Sequence, residues 1–266
     1  MDKNILVIAS TSELAQRTIT ELKVQGYNIY TTSRHNAGVM EEGVIELKLN
    51  VADEYDFLHL KEKLNNIKFD TIINFAGIAI AGAVDELSET ELKKQMDVNL
   101  FGLLRIIKYL CPNLKPEGKL INVSSMASYG IFPFLSPYCM SKASADILLN
   151  TYSIETGIKT VSIRPGAVAT KFWETSIDLN KDILQNESKY NKEKEFIVKN
   201  ANNNSLHAMN PIATAKKIAR IIELKNPKPV YNIGLDAKFA KCTRFMPQGI
   251  VNSIVKFVLK KRINKK

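Results

Sequence analysis

Residues 4–9 read Asn-Ile-Leu-Val-Ile-Ala, with none of the every-second-residue alternation of a strand that has one wet face. Such a run suits a strand buried on both faces of a parallel sheet, and it predicts the central strand. A strand covered twice needs helices on both sides, and the chain supplies them in alternation. Ser10, Thr11 and Ser12 offer caps, Leu14, Thr18, Ile19 and Leu22 recur at helical spacing, and Gly26 stops the helix. Further strands are expected at 27–33, 44–49, 70–75, 119–123, 160–163 and 229–233, with helices at 54–66 and 88–113 and after Ser136. The expected architecture is α/β, a doubly wound parallel sheet of about seven strands with helices on both faces, in a single domain over 1–245 with a C-terminal tail over 246–266.

A chain of 266 residues that is 45% hydrophobic and 24% charged can bury a full-sized core without a second domain. Its three cysteines have no Cys-x-x-Cys spacing, which points to a reducing compartment and away from a structural metal. The opening apolar run is short for a secretory signal and no segment reaches the length of a membrane span, so a cytoplasmic protein is expected. A formal charge of +10 raises nucleic acid or anionic lipid as partners, but no aromatic-basic interleaving supports nucleic acid, and the abundance of lysine accounts for the sign.

The chemistry concentrates between Lys119 and Ser153. Ser124 and Ser125 fall at a strand end, where open α/β sheets bind ligands. Ser136-Pro137 reads as a helix start, with Ser136 as the cap and Pro137 at the first helical position. Tyr138 and Lys142 then share a helix face. A hydroxyl, a phenol and an amine together support proton transfer at a carbonyl or alcohol oxygen. For a tyrosine to do this near neutrality, a nearby ammonium must shift it by roughly three units, about 4 kcal/mol. The Tyr-x-x-x-Lys spacing alone is weak, since Tyr190 and Lys194 repeat it. The serines upstream of Tyr138 distinguish the first instance.

In this order of motifs the chain resembles the short-chain dehydrogenase/reductase family, over nearly its whole length. The resemblance rests on Thr11-Ser12-x-Leu14-Ala15 after the first strand, Asn74-x-Ala76-Gly77, Asp97-Val98-Asn99, then Ser125, Tyr138 and Lys142, and finally Arg164-Pro165-Gly166 with Val168 and Thr170. It implies a Rossmann fold and a nicotinamide dinucleotide. It also implies Tyr138 as proton donor or acceptor, Ser125 as binder of the substrate oxygen, Lys142 as ribose ligand and tuner of the phenol, and Asn99 as holder of a water in a proton relay. Pro165, Gly166, Val168 and Thr170 would line the nicotinamide, although Thr170 could equally cap the next helix. Asn74, Ala76 and Gly77 would lie against a ribose. A dimer or tetramer is the family habit.

One departure stands out. Where the family has three glycines after the first strand, this chain has Ala9-Ser10-Thr11-Ser12-Glu13-Leu14-Ala15. Ala9 and Ala15 are expected to cost packing of order 1 kcal/mol. Ser10, Thr11, Ser12 and the amide of Leu14 would hold the pyrophosphate at the helix N-terminus, provided the Glu13 carboxylate turns to solvent. At the end of the second strand, Ser33 and Arg34 stand where a carboxylate would select NAD, so NADP is favoured over NAD. Asn50 and Val51 would border the adenine.

Residues 171–210, rich in Asn, Lys and Glu but carrying Phe172, Trp173, Ile177, Leu179, Ile183, Leu184 and Phe196, are expected to form one or two mobile lid helices over Tyr138. Phe132, Phe134 and Leu135 would add an apolar wall. In the tail, Ile250, Val251, Ile254, Val255 and Val258 form a helical stripe that ends among Lys256, Lys260, Lys261, Arg262, Lys265 and Lys266, so peripheral membrane contact is an alternative to packing on the domain. The resulting expectation is an NADP-dependent oxidoreductase acting on a hydrophobic or bulky carbonyl or secondary alcohol. The alternatives are a non-catalytic NADP(H) sensor or scaffold, motivated by the lost glycines, and a sugar-nucleotide epimerase or dehydratase of the same fold.

Overall fold

The structure, a computed structural model, describes residues 3–35 and 43–263. Its strands are β1 (Asn4–Ile8), β2 (Asn28–Ser33), β3 (Val44–Lys48), β4 (Phe69–Asn74), β5 (Leu114–Val123), β6 (Lys159–Pro165) and β7 (Val230–Ile233). They form one parallel sheet in the order β3-β2-β1-β4-β5-β6-β7. The chain crosses from β3 to the far side of β1 to make β4, so β1 and β4 flank the point where strand order reverses. Crevices at that point, beyond the strands' carboxyl ends, are where such sheets take ligands.

Ile5, Leu6, Val7 and Ile8 of β1 are fully buried, as the unbroken apolar run requires. Their alternate side chains enter two cores. Leu6 and Ile8 join α2 (Glu54–Lys63) and α5 (Ser136–Thr156) on one face, where Phe57, Leu60 and Leu149 pack. Ile5 and Val7 join α1 (Glu13–Val24) and α9 (Pro211–Glu223) on the other, with Leu22, Ile218 and Ile222. Each such side chain stabilises the fold by about 1.5–3 kcal/mol relative to exposure.

The helix expected over 88–113 is present in pieces. Ser88 and Glu91 form a capping box at the start of α3 (Glu89–Met96). A π-helical turn (Asp97–Phe101), α4 (Gly102–Arg105), a second π-helical stretch (Ile106–Leu110) and a 3-10 turn (Cys111–Asn113) follow. The first π turn has a tertiary cause: Asn99 is turned inward onto the backbone of Ile78.

Helix α5 differs from expectation by one residue. Leu135 occupies the cap position without a side-chain bond, so Ser136 is the first helical residue, and the proline sits in the first turn. What fixes the helix against the sheet is buried charge. The Asp146 carboxylate accepts from the Ser162 hydroxyl at 2.6 Å and lies 2.8 Å from the Arg164 guanidinium, with the N–H directed off line, so the attraction is electrostatic. Arg164 also lies 4.3 Å from the centre of the Tyr129 ring. Removing one partner of a buried pair strands the other charge. Asp146→Ala should therefore lose about 3–5 kcal/mol of stability by urea unfolding, a loss far above that of the same change at exposed Glu155.

Candidate active site

The carboxyl ends of β4 and β5 and the first turns of α5 bring four of the expected residues together. Tyr138 and Lys142 are both 5% exposed, one turn apart on α5. Ser125, just past β5, accepts the Ala127 amide at 3.1 Å, and its hydroxyl lies near the phenol of Tyr138. The Lys142 ammonium donates to the Val123 carbonyl at 3.1 Å and stands 5.7 Å from the Tyr138 ring centre. Gly77 makes room for it: a Cβ there would lie 3.2 Å from Nζ. Asn99 is fully engaged with protein, accepting the Ile78 amide at 2.9 Å and donating to the Ile78 carbonyl and the Ser141 hydroxyl. Gln95, one turn earlier and not singled out in the sequence, holds the same segment through the Ile80 amide and the Ile78 carbonyl.

At the end of β1, Ala9 takes a φ of 60°, the left-handed region that favours glycine. The cost of the missing glycine is thus backbone strain, about 1–2 kcal/mol, more than lost packing. Ser10 is buried, its hydroxyl given to the Thr32 carbonyl at 3.1 Å, so it presents no free hydroxyl donor. Thr11 and Ser12 are exposed, and Ser12 caps α1 through the Ala15 amide. Glu13 leans toward Arg17 at 3.7 Å. Nearby, Asn50 turns its amide oxygen onto the Ala52 amide at 3.2 Å, and the Val51 carbonyl accepts from Arg105 at 3.0 Å. Asn74 is consumed by the Ala76 amide and the Asn122 side chain, with Ala76 buried beside it. Ser33 donates toward the Glu46 carboxylate at 2.7 Å, and Arg34 is exposed.

The Pro165–Thr170 segment borders the same end of the sheet. Val168 bridges to Met209, and Thr170 donates its amide to the Val168 carbonyl. Thr170 is not the cap of α6 (Phe172–Leu179), a position held by Lys171 without a side-chain bond. Asp236, on α10 (Leu235–Thr243), accepts the Ala167 amide at 2.7 Å, and a Cβ at Gly166 would fall inside its carboxylate. Nothing in the local sequence signalled that role.

The sequence profile of the short chain dehydrogenase family matches residues 3–180. The chain belongs to the short-chain dehydrogenase family of oxidoreductases. Among its relatives, the 3-amino-tetrahydro-pyrrolizinone reductase of Xenorhabdus hominickii is 26% identical over 255 residues, covering 89% of this chain and 88% of that protein. The 3-ketodihydrosphingosine reductase of Bacteroides thetaiotaomicron is 25% identical over 261 residues, covering 93% and 94%. The crystal structure of a short chain dehydrogenase from Burkholderia cenocepacia in complex with NADP superposes with a TM-score of 0.74 at 15% identity, covering 96% and 98%.

Over the site of this short-chain dehydrogenase lies a cap of three helices where one or two were expected: α6, α7 (Lys181–Gln185) and α8 (Asn191–His207). Phe172 and Trp173 bring their rings to 6.0 and 6.1 Å from that of Tyr138, with Phe132 and Leu135 against the same cluster. Phe134 stands apart and meets Tyr190 instead. The cap is fastened at two places. Asn180, fully buried, accepts the Ala81 amide at 2.9 Å and donates to the Ala79 carbonyl at 2.8 Å. Lys189 and Tyr190 reach Asp85, and buried Lys194 pairs with Glu86 at 2.9 Å. The second Tyr-x-x-x-Lys is therefore an anchor of the cap.

Electrostatics correct one expectation. Burial pushes the Tyr138 phenol up to about 12, a rise that the neighbouring Ser125 hydroxyl only partly offsets. Burial pushes the Lys142 ammonium down to about 8, with Asp146 opposing. Here desolvation outweighs any acidification of the phenol by the lysine. Between pH 8 and 10.5 the unfolded chain holds a proton on Lys142 that the folded chain sheds, so this group's penalty is full below pH 8 and relieved as pH rises through that window. Tyr138 acts oppositely between 10 and about 12, where only the unfolded phenol ionises. Lys142→Met should accordingly raise the unfolding free energy of the cofactor-free protein at pH 7, by up to about 3 kcal/mol. Thermal melts against pH should show the advantage shrinking above pH 8.

Proposed function

We propose that the protein uses NADPH to reduce a ketone or aldehyde with an apolar or bulky body, Tyr138 delivering the proton to the carbonyl oxygen. The observation that carries this reading is the convergence at one end of the sheet of a buried phenol and a buried ammonium, Tyr138 and Lys142, one turn apart on α5, with the Ser125 hydroxyl just past β5, the set that proton transfer to a carbonyl oxygen requires. Ser125 accepts the Ala127 amide and keeps its own proton to donate to a substrate oxygen. Phe172, Trp173, Phe132 and Leu135 exclude water and favour apolar substrates. Both relatives named above are reductases, which supports the direction.

The residues fit a dinucleotide. The first amides of α1 have no intrahelical partners, a positive helix end faces the turn, and exposed Thr11 and Ser12 add hydroxyls. The reading places the pyrophosphate against Ala9, Ser10, Thr11, Ser12 and Leu14, the adenine beside Asn50 and Val51, and a ribose beside Asn74, Ala76 and Gly77. Tyr138 and Lys142 hold the second ribose, and Pro165, Gly166, Val168 and Thr170 hold the nicotinamide. When bound, the dinucleotide supplies the hydride; orientation, dryness and the proton fall to the chain. Arg34 neutralises a 2′-phosphate, and the Burkholderia neighbour, crystallised with NADP, supports that choice. Exposed Leu104, Ile147 and Ile154 on α4 and α5 support a homodimer.

A ketone panel followed by loss of NADPH absorbance tests the reading. Tyr138→Phe should lower kcat by about 10²–10⁴ while weakening NADPH binding by no more than about tenfold, the loss of one hydrogen bond to the ribose. Retained turnover in that variant, or NADPH binding with no turnover of any carbonyl, would overturn it. Glu46, hydrogen-bonded to Ser33, favours a second reading with NAD, since a carboxylate there repels a 2′-phosphate. Glu46→Gln should increase the NADPH-over-NADH ratio in kcat/KM; a wild-type preference for NADH would establish the second reading.

A further inference from the structure

The last helix, α11 (Gln248–Ile263), is apolar over a wider arc than its packing uses. Val251 is buried and Val255, Leu259 and Ile263 are half-buried along the stripe that meets the protein. A second stripe, Ile250, Ile254, Phe257 and Val258, faces outward, and Phe257 is 67% exposed. Together the stripes cover about two-thirds of the helix circumference. The stripe anticipated in the sequence is thus split, with Val251 and Val255 inward and Ile250, Ile254 and Val258 outward. The preceding helix repeats the pattern. In α10, Ala237 and Ala240 pack inward while Leu235 and Phe239 are 83% and 70% exposed, and Phe245, in the link to α11, is 80% exposed.

Charge decides what covers these side chains. From 235 to 263 the sequence has seven cations and one acid, Asp236. That acid is committed to the Gly166–Ala167 backbone. Lys238, Lys241, Arg244, Lys256, Lys260 and Lys261 are exposed; Lys265 and Lys266 lie outside the described residues. A second copy of this chain would set cations against cations. Exposed aromatic and aliphatic side chains among uncompensated lysines match an anionic lipid surface instead, apolar tips entering the acyl boundary and ammonium groups meeting the headgroups.

We propose that α10 and α11 dock the protein on anionic bilayers. The first of them adjoins the site: α10 packs on the turn Met126–Tyr129 that follows Ser125, and its Asp236 accepts the Ala167 amide and lies against Gly166, while α11 packs on the cap helix α8. On the reductase reading, the substrate class is therefore a membrane-resident lipid ketone that reaches the site from the bilayer.

The test is co-sedimentation of the full chain with phosphatidylcholine vesicles, with and without phosphatidylglycerol. Binding is expected only with the anionic lipid and is expected to weaken with salt. Each cation near the surface contributes roughly fivefold, so the double charge reversal Lys238→Glu/Lys241→Glu should weaken partitioning by at least about 25-fold. Phe245→Ser/Phe257→Ser should also release the protein; both pairs are exposed, and unchanged melting temperatures verify their folding. Absence of binding to anionic vesicles, equal binding to pure phosphatidylcholine, binding unaltered in both variants, or a dimer dissolved by Phe245→Ser/Phe257→Ser would each overturn the proposal. Reduction of a water-soluble ketone without vesicles reads the reductase activity separately. Turnover without vesicle binding would defeat docking alone, and vesicle binding without turnover would defeat only the reductase reading and the lipid substrate drawn from it.

Discussion

The orientation of α5 governs the rest of the site, and a carboxylate one turn beyond Lys142 sets it. Asp146 cannot leave the interior without abandoning Arg164, nor Arg164 without Asp146, so the helix has one rotation about its axis in which both charges are compensated. In that rotation Tyr138 and Lys142 point to the carboxyl end of the sheet. A buried ion pair often adds little net stability over apolar residues of the same volume. What it provides here is angular definition, because a rotated helix would carry an uncompensated charge.

The segment after β4 is organised by a different device. Residues 76 to 83 are mostly small and buried, with no neighbouring strand to take their peptide groups. Their amides and carbonyls are taken by side-chain amides instead: Asn74 holds Ala76, Asn99 and Gln95 hold Ile78 and Ile80, and Asn180 holds Ala79 and Ala81. An amide side chain carries both donor and acceptor and so satisfies both halves of a peptide unit. The π turn at Asn99 follows from the same need, since widening the helix by one residue carries that side chain to the loop.

The strands were legible because their signal is local. Unbroken apolar runs such as Ile5 to Ile8, ended by polar or small residues, have few alternatives to a doubly covered strand, and their alternation with helices leaves a parallel sheet. Ser125 at the end of β5, Tyr138 and Lys142 at the head of α5 and Asn99 in the π turn were legible as an ordered set, though what each does rests on chemistry and on family likeness. Asn180, Gln95 and Asp236 were invisible, because their partners are backbone groups that no spacing rule connects; Asn180 and Ala81 are 99 residues apart. The cap of α5 lies at Leu135 rather than Ser136, because Leu135 takes the flanking conformation without any side-chain bond, which no residue preference signals. The direction of the Tyr138 and Lys142 shifts was also hidden: a sequence shows a cation near a phenol but not how dry both are.

The fastening of the cap has a kinetic consequence. Asn180 and Lys194 are held by interior contacts, so a bulky molecule leaving the crevice must break several of them together, whereas a small one can slip past the Phe172 and Trp173 rings. Because these contacts lie far apart along the cap, it opens only when several break together, so large openings are cooperative and rare while small gaps beside the aromatic rings are frequent.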